Sequence, residues 1–245
     1  MRAVITAGGR LEAEYADAAG TGVKALAPVR GVTMLDRIID ALRGAGATRI
    51  AVVGGEEVRS ACAHRVEAVV DESASGSENV LRALSAWPDD DGRPLLYATS
   101  DLPYVTAAAV GDFVRRAPAA TIAIAVAEHR DFEARFPGAP PFGITLAREK
   151  IVNGGIFSIP AGKAATLASA AATFFEARKR PWRMATLVSP LAVLKFAAGR
   201  LSIGDLERVA QKMLDVPATA VRNCAPELGY DADTFFEYHY ACRND

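Results

Sequence analysis

The sequence predicts an α/β fold, a three-layer α/β/α sandwich around a mainly parallel central sheet. Over the first 130 residues, short apolar runs ending in glycine or a turn alternate with stretches of helical period. Repeated strand–helix units of that kind give parallel sheets covered on both faces. The 245 residues, 51% of them apolar, suffice for one large domain with a substantial buried core. Helix then follows helix from about residue 161 to 215 before a strand-like piece returns. The reading is therefore a single domain over 1–245, with 161–215 a helical insertion packed on the sheet.

Element by element, Ala3 to Ala7 reads as a short buried strand ending at Gly8-Gly9. Met34, Leu35, Ile38, Ile39 and Leu42 recur at helical spacing, and Gly44 and Gly46 stop that helix. Ile50 to Val53 is a second strand closed by Gly54-Gly55, and Val66 to Val70 is a candidate third. DESASGSENVLRAL is a loop passing into a helix near Ser77 or Glu78. Leu95 to Thr99 is a strand broken sharply by SDLPYVT, Thr106 to Arg116 is helical, and Thr121 to His129 is a β-branched strand. FPGAPPFG is turn-rich, GIFSIP is a strand, and an Ala-rich helical stretch runs from about Ala161 to Arg178. Met184 to Ala198 and Ile203 to Leu214 read as further helices, the latter capped by Ser202. ELGYDADTFFEYHYA is a short strand or turn entering a final helix.

Composition excludes several classes. A net charge of −1 argues against a general nucleic-acid binder, although a local basic pocket for phosphates stays open. Cys62, Cys224 and Cys242 are odd in number and widely spaced, which suggests neither a disulfide framework nor a zinc site. His64, His129 and His239 form no metal pattern. With no basic-then-apolar leader and no apolar run of about 18 residues, the expectation is a soluble cytoplasmic protein that is not bound to a membrane.

Three segments carry chemistry. Gly8-Gly9 follows the first strand, where ligands of open α/β sheets sit, and glycines let backbone N–H groups approach anionic oxygens. The alternative is a plain tight turn. No Gly-Lys-Ser/Thr follows, so it is not a Walker loop, and the dinucleotide fingerprint lacks its third glycine. Asp101 ends a buried strand with Pro103 two residues on; it is either a turn former or a carboxylate for magnesium, which takes one or two carboxylates plus ligand phosphates. Near the C-terminus, Asp231 and Asp233 point the same way if extended. Thr234 and Glu237 can form a capping box, and Asp233 can equally serve the helix N-terminus.

In this order, these pieces resemble the MobA-like nucleotidyltransferases of the GT-A fold, a Rossmann-like architecture. That family begins with a strand ending LAGG, then a basic residue and a K-x-L-x-P-x-x-G-x-x-M-L segment; here Lys24 to Leu35 reads KALAPVRGVTML. The family's D-x-P is Asp101-Leu102-Pro103, its glycine-rich strand entry is VNGGIFSIP, and its terminal D-x-D-T is DADT. The likeness runs from Arg2 to about Pro160 and returns at Glu227, nearest to members with a long first loop and a helical insertion. The chain departs from the family's short basic first loop: LEAEYADAAGTGV intervenes and carries Glu12, Glu14 and Asp17.

The resemblance implies transfer of a nucleoside monophosphate from a nucleoside triphosphate (NTP) to a phosphorylated small molecule, with release of pyrophosphate. It implies Mg²⁺ on Asp101, Asp231 and Asp233, and Lys24 beside the α-phosphate. Ala7, Gly8, Gly9 and Arg10 would line the nucleotide, with the base read at Gly76, Ser77 and Asn79. Asn153 and Gly154 would face the acceptor. Arg178, Lys179, Arg180 and Arg183 around Trp182 are either a grip for an anionic acceptor or a solvated helix end. The rivals are a GT-A glycosyltransferase, which would normally carry an acid two residues before Asp101, and a non-catalytic nucleotide-binding module. The nucleobase, the acceptor and the oligomeric state are left open.

Overall fold

β1 (Arg2–Thr6) begins the chain in the computed structural model, which describes residues 1–87, 92–170 and 190–244. α1 (Ala13–Ala19), a 3₁₀ turn (Lys24–Leu26) and a hairpin of β2 (Pro28–Val29) and β3 (Val32–Thr33) lead to α2 (Met34–Gly44). β4 (Arg49–Gly54), α3 (Glu56–Cys62), β5 (Ala68–Asp71), α4 (Gly76–Leu84), β6 (Leu95–Thr99) and α5 (Ala107–Arg116) continue the alternation. Then come β7 (Ile122–Glu128), α6 (His129–Arg135), β8 (Ile144–Thr145) and the long β9 (Lys150–Ile159). After a helical segment at 164–170 follow α7 (Pro190–Ala197), α8 (Ile203–Leu214), β10 (Ala218–Val221), a 3₁₀ turn (Pro226–Leu228) and α9 (Phe235–Arg243).

The sheet order is β10-β7-β9-β6-β1-β4-β5, with β8 added to the start of β9. β1 pairs in parallel with β4 and β6, β4 with β5, and β7 with β10; β9 alone lies antiparallel between β6 and β7. Alternation along β1 explains the layers. Ala3 and Ile5 join a core with Ile38, Leu42 and Phe113 from α2 and α5, whereas Val4 joins one with Ala83 and Leu84 of α4. Burying both faces is what turns these strands into near-continuous apolar runs. The mainly parallel α/β reading is thus the observed architecture.

Register sets where the loops emerge. Thr6 of β1 is level with Val53 of β4 and Thr99 of β6. Ala98 of β6 lies opposite Ile156 of β9, and Val126 of β7 opposite Asn153. The segments after β1, β4, β5 and β6 therefore share one rim with the Asn153–Gly155 stretch of β9.

Most expected elements occur, with ends displaced by one or two residues. β1 begins and ends one residue before the expected strand; Ala7 lies outside it, although its N–H still bonds the Val53 carbonyl at 2.8 Å. α8 spans the expected residues, and its Ser202 N-cap forms a capping box with Asp205. The sequence reading missed α1, α3, α6, the β2–β3 hairpin, β8 and β10, began β9 five residues late, and ran the strand of β7 on to His129, where α6 already starts. The basic cluster around Trp182 and part of the expected helices over 161–198 fall outside the described residues. No helix among the described residues is long and apolar enough to cross a membrane.

Candidate active site

The first loop is a helical plug between two stems. Lys24 N–H donates to the Gly9 carbonyl at 2.9 Å, Leu11 N–H donates to Gly22 at 3.0 Å, and Arg10 and Val23 form an antiparallel bridge. α1 fills the excursion between, burying Tyr15 and Ala19. Gly20, in the left-handed region at φ 68°, turns the chain back. Fourteen residues after Arg10, Lys24 is thereby returned to the glycine pair: a Cβ placed on Gly9 would sit in ordinary contact, 3.5 Å from the Lys24 stem.

From there the lysine reaches carboxylates delivered by two distant segments. Its Nζ donates to Asp101 Oδ2 at 2.6 Å and also to Asp233. Ala232, between the two C-terminal aspartates, donates its N–H to the Asp101 carbonyl at 3.0 Å, and Tyr15 of the plug donates its hydroxyl to the Ala232 carbonyl at 3.1 Å. Thr234 and Glu237 close a capping box on α9, which fixes the approach of Asp233. Below lies an aromatic cluster of Tyr15, Tyr104, Phe132, Phe136, Tyr230 and Tyr238, which ties α1, α6 and α9 together. The plug, the post-β6 turn and the C-terminal segment are thus one cross-linked unit.

The electrostatics of this unit are unbalanced. Burial alone would lower the Lys24 pKa, but Asp101 and Asp233 outweigh it and hold the ammonium above its ordinary value. Asp231 is pushed up to about 7, first by burial and then by the negative charges of Asp101 and Asp233. Asp101 Oδ1 is buried with no hydrogen-bond partner. An orphaned acceptor beside surplus carboxylates is what a cation ligand looks like before the cation arrives. Among the described residues no three His, Cys, Asp or Glu side chains form a ready cage. The fit to a hard divalent cation rests on the oxygen donors present, the orphaned Asp101 Oδ1 and the nearby Asp233 carboxylate.

The other expected site residues are placed as follows. Ala7 is fully buried and its N–H is committed to Val53, so only its carbonyl remains to contact a ligand. Arg10 bonds Glu57 at 2.7 Å and Glu72 at 2.6 Å, so its guanidinium is already engaged by two carboxylates at the rim. Glu72, which sequence reasoning did not single out, lies over the glycines: a Cβ at Gly8 would meet its Oε2, and one at Gly55 would come 2.5 Å from its Oε1. Its only sequence signal is position, one residue past β5.

At the proposed base-reading loop, Gly76 has open space above its α-carbon, and Ser77 shares a 2.7 Å hydrogen bond with Ser75. Asn79 is buried with both ends of its amide on Ser73, accepting from its N–H at 2.6 Å and donating to its carbonyl at 3.2 Å. In this arrangement Asn79 shapes the loop, and its Nδ2 also lies 3.0 Å from a would-be Cβ on Gly8. Asn153 is exposed at the rim, whereas Gly154 is buried, 2.9 Å from its would-be Cβ to the Leu228 carbonyl. Gly154 therefore lets the C-terminal segment cross β9.

The sequence matches the MobA-like NTP transferase domain family over residues 3–229. The chain belongs to this family. No protein of curated function matches it significantly in sequence. Among solved structures, a hypothetical transferase of Thermus thermophilus is 29% identical, with a TM-score of 0.83 over 97% of this chain and 98% of that one. A nucleotidyl transferase from Methanothermobacter is 21% identical, with a TM-score of 0.59 over 99% and 98% of the two chains. The 2-C-methyl-D-erythritol 4-phosphate cytidylyltransferase of Thermus thermophilus is 16% identical, with a TM-score of 0.57 over 99% and 98%. The last two are likenesses of fold, the GT-A-like architecture. By family the protein is a transferase of the nucleotidyl class with a nucleotide substrate.

Proposed function

We propose that the protein transfers a nucleoside monophosphate from an NTP to a phosphorylated small molecule, releasing pyrophosphate, with Mg²⁺ held by Asp101, Asp233 and Asp231. The observation that carries this reading is the meeting of Lys24 with Asp101 and Asp233 at one rim, beside the partnerless Asp101 oxygen. Bound there, the divalent ion would neutralise charge on the α- and β-phosphates.

The chain's own groups do the rest. Gly8 and Gly9 offer backbone against the triphosphate, with Arg10 beside them once a phosphate competes for its guanidinium. Lys24, held beside the glycine pair by Asp101, would set its ammonium against the α-phosphate, where charge grows as phosphorus becomes five-coordinate. A single fixed donor of this kind contributes about 3–4 kcal/mol to the transition state. The base is read at the Gly76–Ser77 turn, and Asn153 faces the acceptor. An acceptor phosphate oxygen forms the new bond to the α-phosphorus while the bond to the bridging oxygen breaks and pyrophosphate leaves. No general base is needed, because the attacking phosphate is already ionised; positioning dominates. We read the chain as one domain, with residues 161–215 as its helical insertion.

The test is pyrophosphate release with each of ATP, CTP, GTP and UTP, Mg²⁺ and a mixture of phosphomonoesters. The expected result is release with one nucleotide that requires the phosphomonoesters and disappears in Asp101→Ala. Release that proceeds equally without any phosphomonoester would refute phosphate as the acceptor group.

A further inference from the structure

A groove of about 570 Å³ opens beside the site and has no part in the scheme above. It starts at Thr234, the residue after Asp233, and runs between α9 and the turn at Gly138–Pro141. Pro140, Pro141, Phe236, His239, Tyr240 and Arg243 line it. Positions 236, 239, 240 and 243 recur at helical spacing and so share the outer face of α9. The far wall is fixed: Tyr240 donates its hydroxyl to the Pro137 carbonyl at 3.0 Å, and Gly138 turns the chain at φ 74°. The turn then feeds β8 and β9, the hairpin that carries Asn153 to the rim.

Two contrasts set this groove apart from ordinary surface. Phe236 is 74% exposed, although the other rings of this region are packed into the aromatic cluster. Among the described residues no carboxylate lines the groove, whereas three crowd the adjoining site, so the cationic groups the groove presents are Arg243 and, when protonated, His239. A flat apolar surface next to a cation, one helix length from the reacting centre, is complementary to an elongated anion.

We propose that the groove binds the body of the acceptor, which is a phosphomonoester with a planar or apolar midsection and a second anionic group at its far end. The phosphate lies at the Asp233 end, the midsection against Phe236, Pro140 and Pro141, and the distal anion on Arg243 and His239. Asp233 lies two residues before α9, whose span from Phe235 to Arg243 is about 12 Å of helix rise. Side chains lean toward the helix N-terminus, which shortens the span between the two anions to roughly 10 Å. The inference rests on the nucleotidyl-transfer reading and names the acceptor class that reading left open.

The experiment uses two matched probes: phenyl phosphate with a para-carboxyethyl arm, and the same compound as its carboxamide. In pyrophosphate release, the acid is expected to exceed the amide in kcat/KM by about 10-fold or more, the worth of one charge-assisted hydrogen bond. Arg243→Ala should erase that difference, Arg243→Lys should restore part of it, and Phe236→Ala should raise KM for both probes. KM for the NTP should stay unchanged in all three variants. A second arm needs no turnover: the acid probe alone should shift the His239 imidazole resonances, and Arg243→Ala should abolish the shift. Equal rates for acid and amide in the wild type, or an Arg243→Ala effect as large on the NTP as on the acceptor, would overturn the proposal. If no nucleotide supports turnover while the His239 shift persists, the transfer reading fails and the anion groove stands. Turnover without any His239 response retains the transfer reading and overturns the groove.

Discussion

Arg10 and Lys24 leave the two stems of one loop, and each ends on two carboxylates, yet the two clusters are built differently. Lys24 and Asp101 are 13% and 17% exposed, cross-linked through Ala232 and Tyr15 to the C-terminal segment. Arg10 is 53% exposed and meets Glu57 and Glu72 at the edge of the sheet. Water screens the second cluster, where such pairs are worth about 0–1 kcal/mol. Its bonds can be exchanged for bonds to a ligand at little cost. In the first cluster Asp233 is 61% exposed, but Lys24 and Asp101 are preorganised and largely shielded, the condition under which fixed charges act most strongly on a transition state. One loop thus supplies a rigid centre and an exchangeable rim.

The largest effect should come from breaking the rigid side. Lys24→Ala is expected to lower kcat about 10²- to 10³-fold in pyrophosphate release with little change in nucleotide KM. Arg10→Ala should do the reverse, raising KM for the nucleotide by up to about 10-fold while kcat holds. Equal kcat losses in both variants would erase the distinction.

A second effect sharpens the contrast through pH. Burial, then Asp101 and Asp233, hold the folded Asp231 carboxyl at about 7, above its ordinary 3.8. The folded chain therefore binds this proton more tightly than the unfolded one. The associated stability is complete below about pH 4 and is lost as pH rises through 7. In EDTA, Asp231→Asn should gain on wild type in unfolding midpoint between pH 5 and pH 8, at about 2–4 °C per kcal/mol for a chain of this size. A difference that does not change between those pH values would place Asp231 in a solvated setting. The smallest effect should be on the stability of the rim: Glu57→Ala should move the midpoint by no more than surface pairs allow, within about 0.5 kcal/mol. A larger loss would make the Arg10 cluster structural.

How far the sequence discloses this arrangement depends on period and on distance. Strands buried on both faces and helices such as α2 and α8 write themselves as apolar runs, periodic stripes and caps, so the sheet and its covering helices are legible. α1 is not: seven residues with only Tyr15 and Ala19 buried carry too little period, and its acidic face reads as loop. β10 is four residues, and α6 follows β7 with no break in the sequence. Within the site, Lys24, Asp101 and Asp233 were nameable from short motifs. The occupation of Arg10 by Glu57 and Glu72 was not, because β4 and β5 bring those acids from 47 and 62 residues away. Asn79 shows the opposite limit: its residue type suits a ligand, and only the coordinates reveal that Ser73 takes one donor and one acceptor position of its amide.

The most direct test of the central claim is a thermal-shift panel of ATP, CTP, GTP and UTP, with and without Mg²⁺, on wild type and Asp101→Ala. One nucleotide should raise the wild-type midpoint only when magnesium is present, by about 2.7 kcal/mol of stabilisation at 100 times its Kd, and the shift should vanish in the variant. No shift with any of the four, or the same shift in Asp101→Ala, would contradict a cation and polyphosphate site built on Lys24 and its carboxylates.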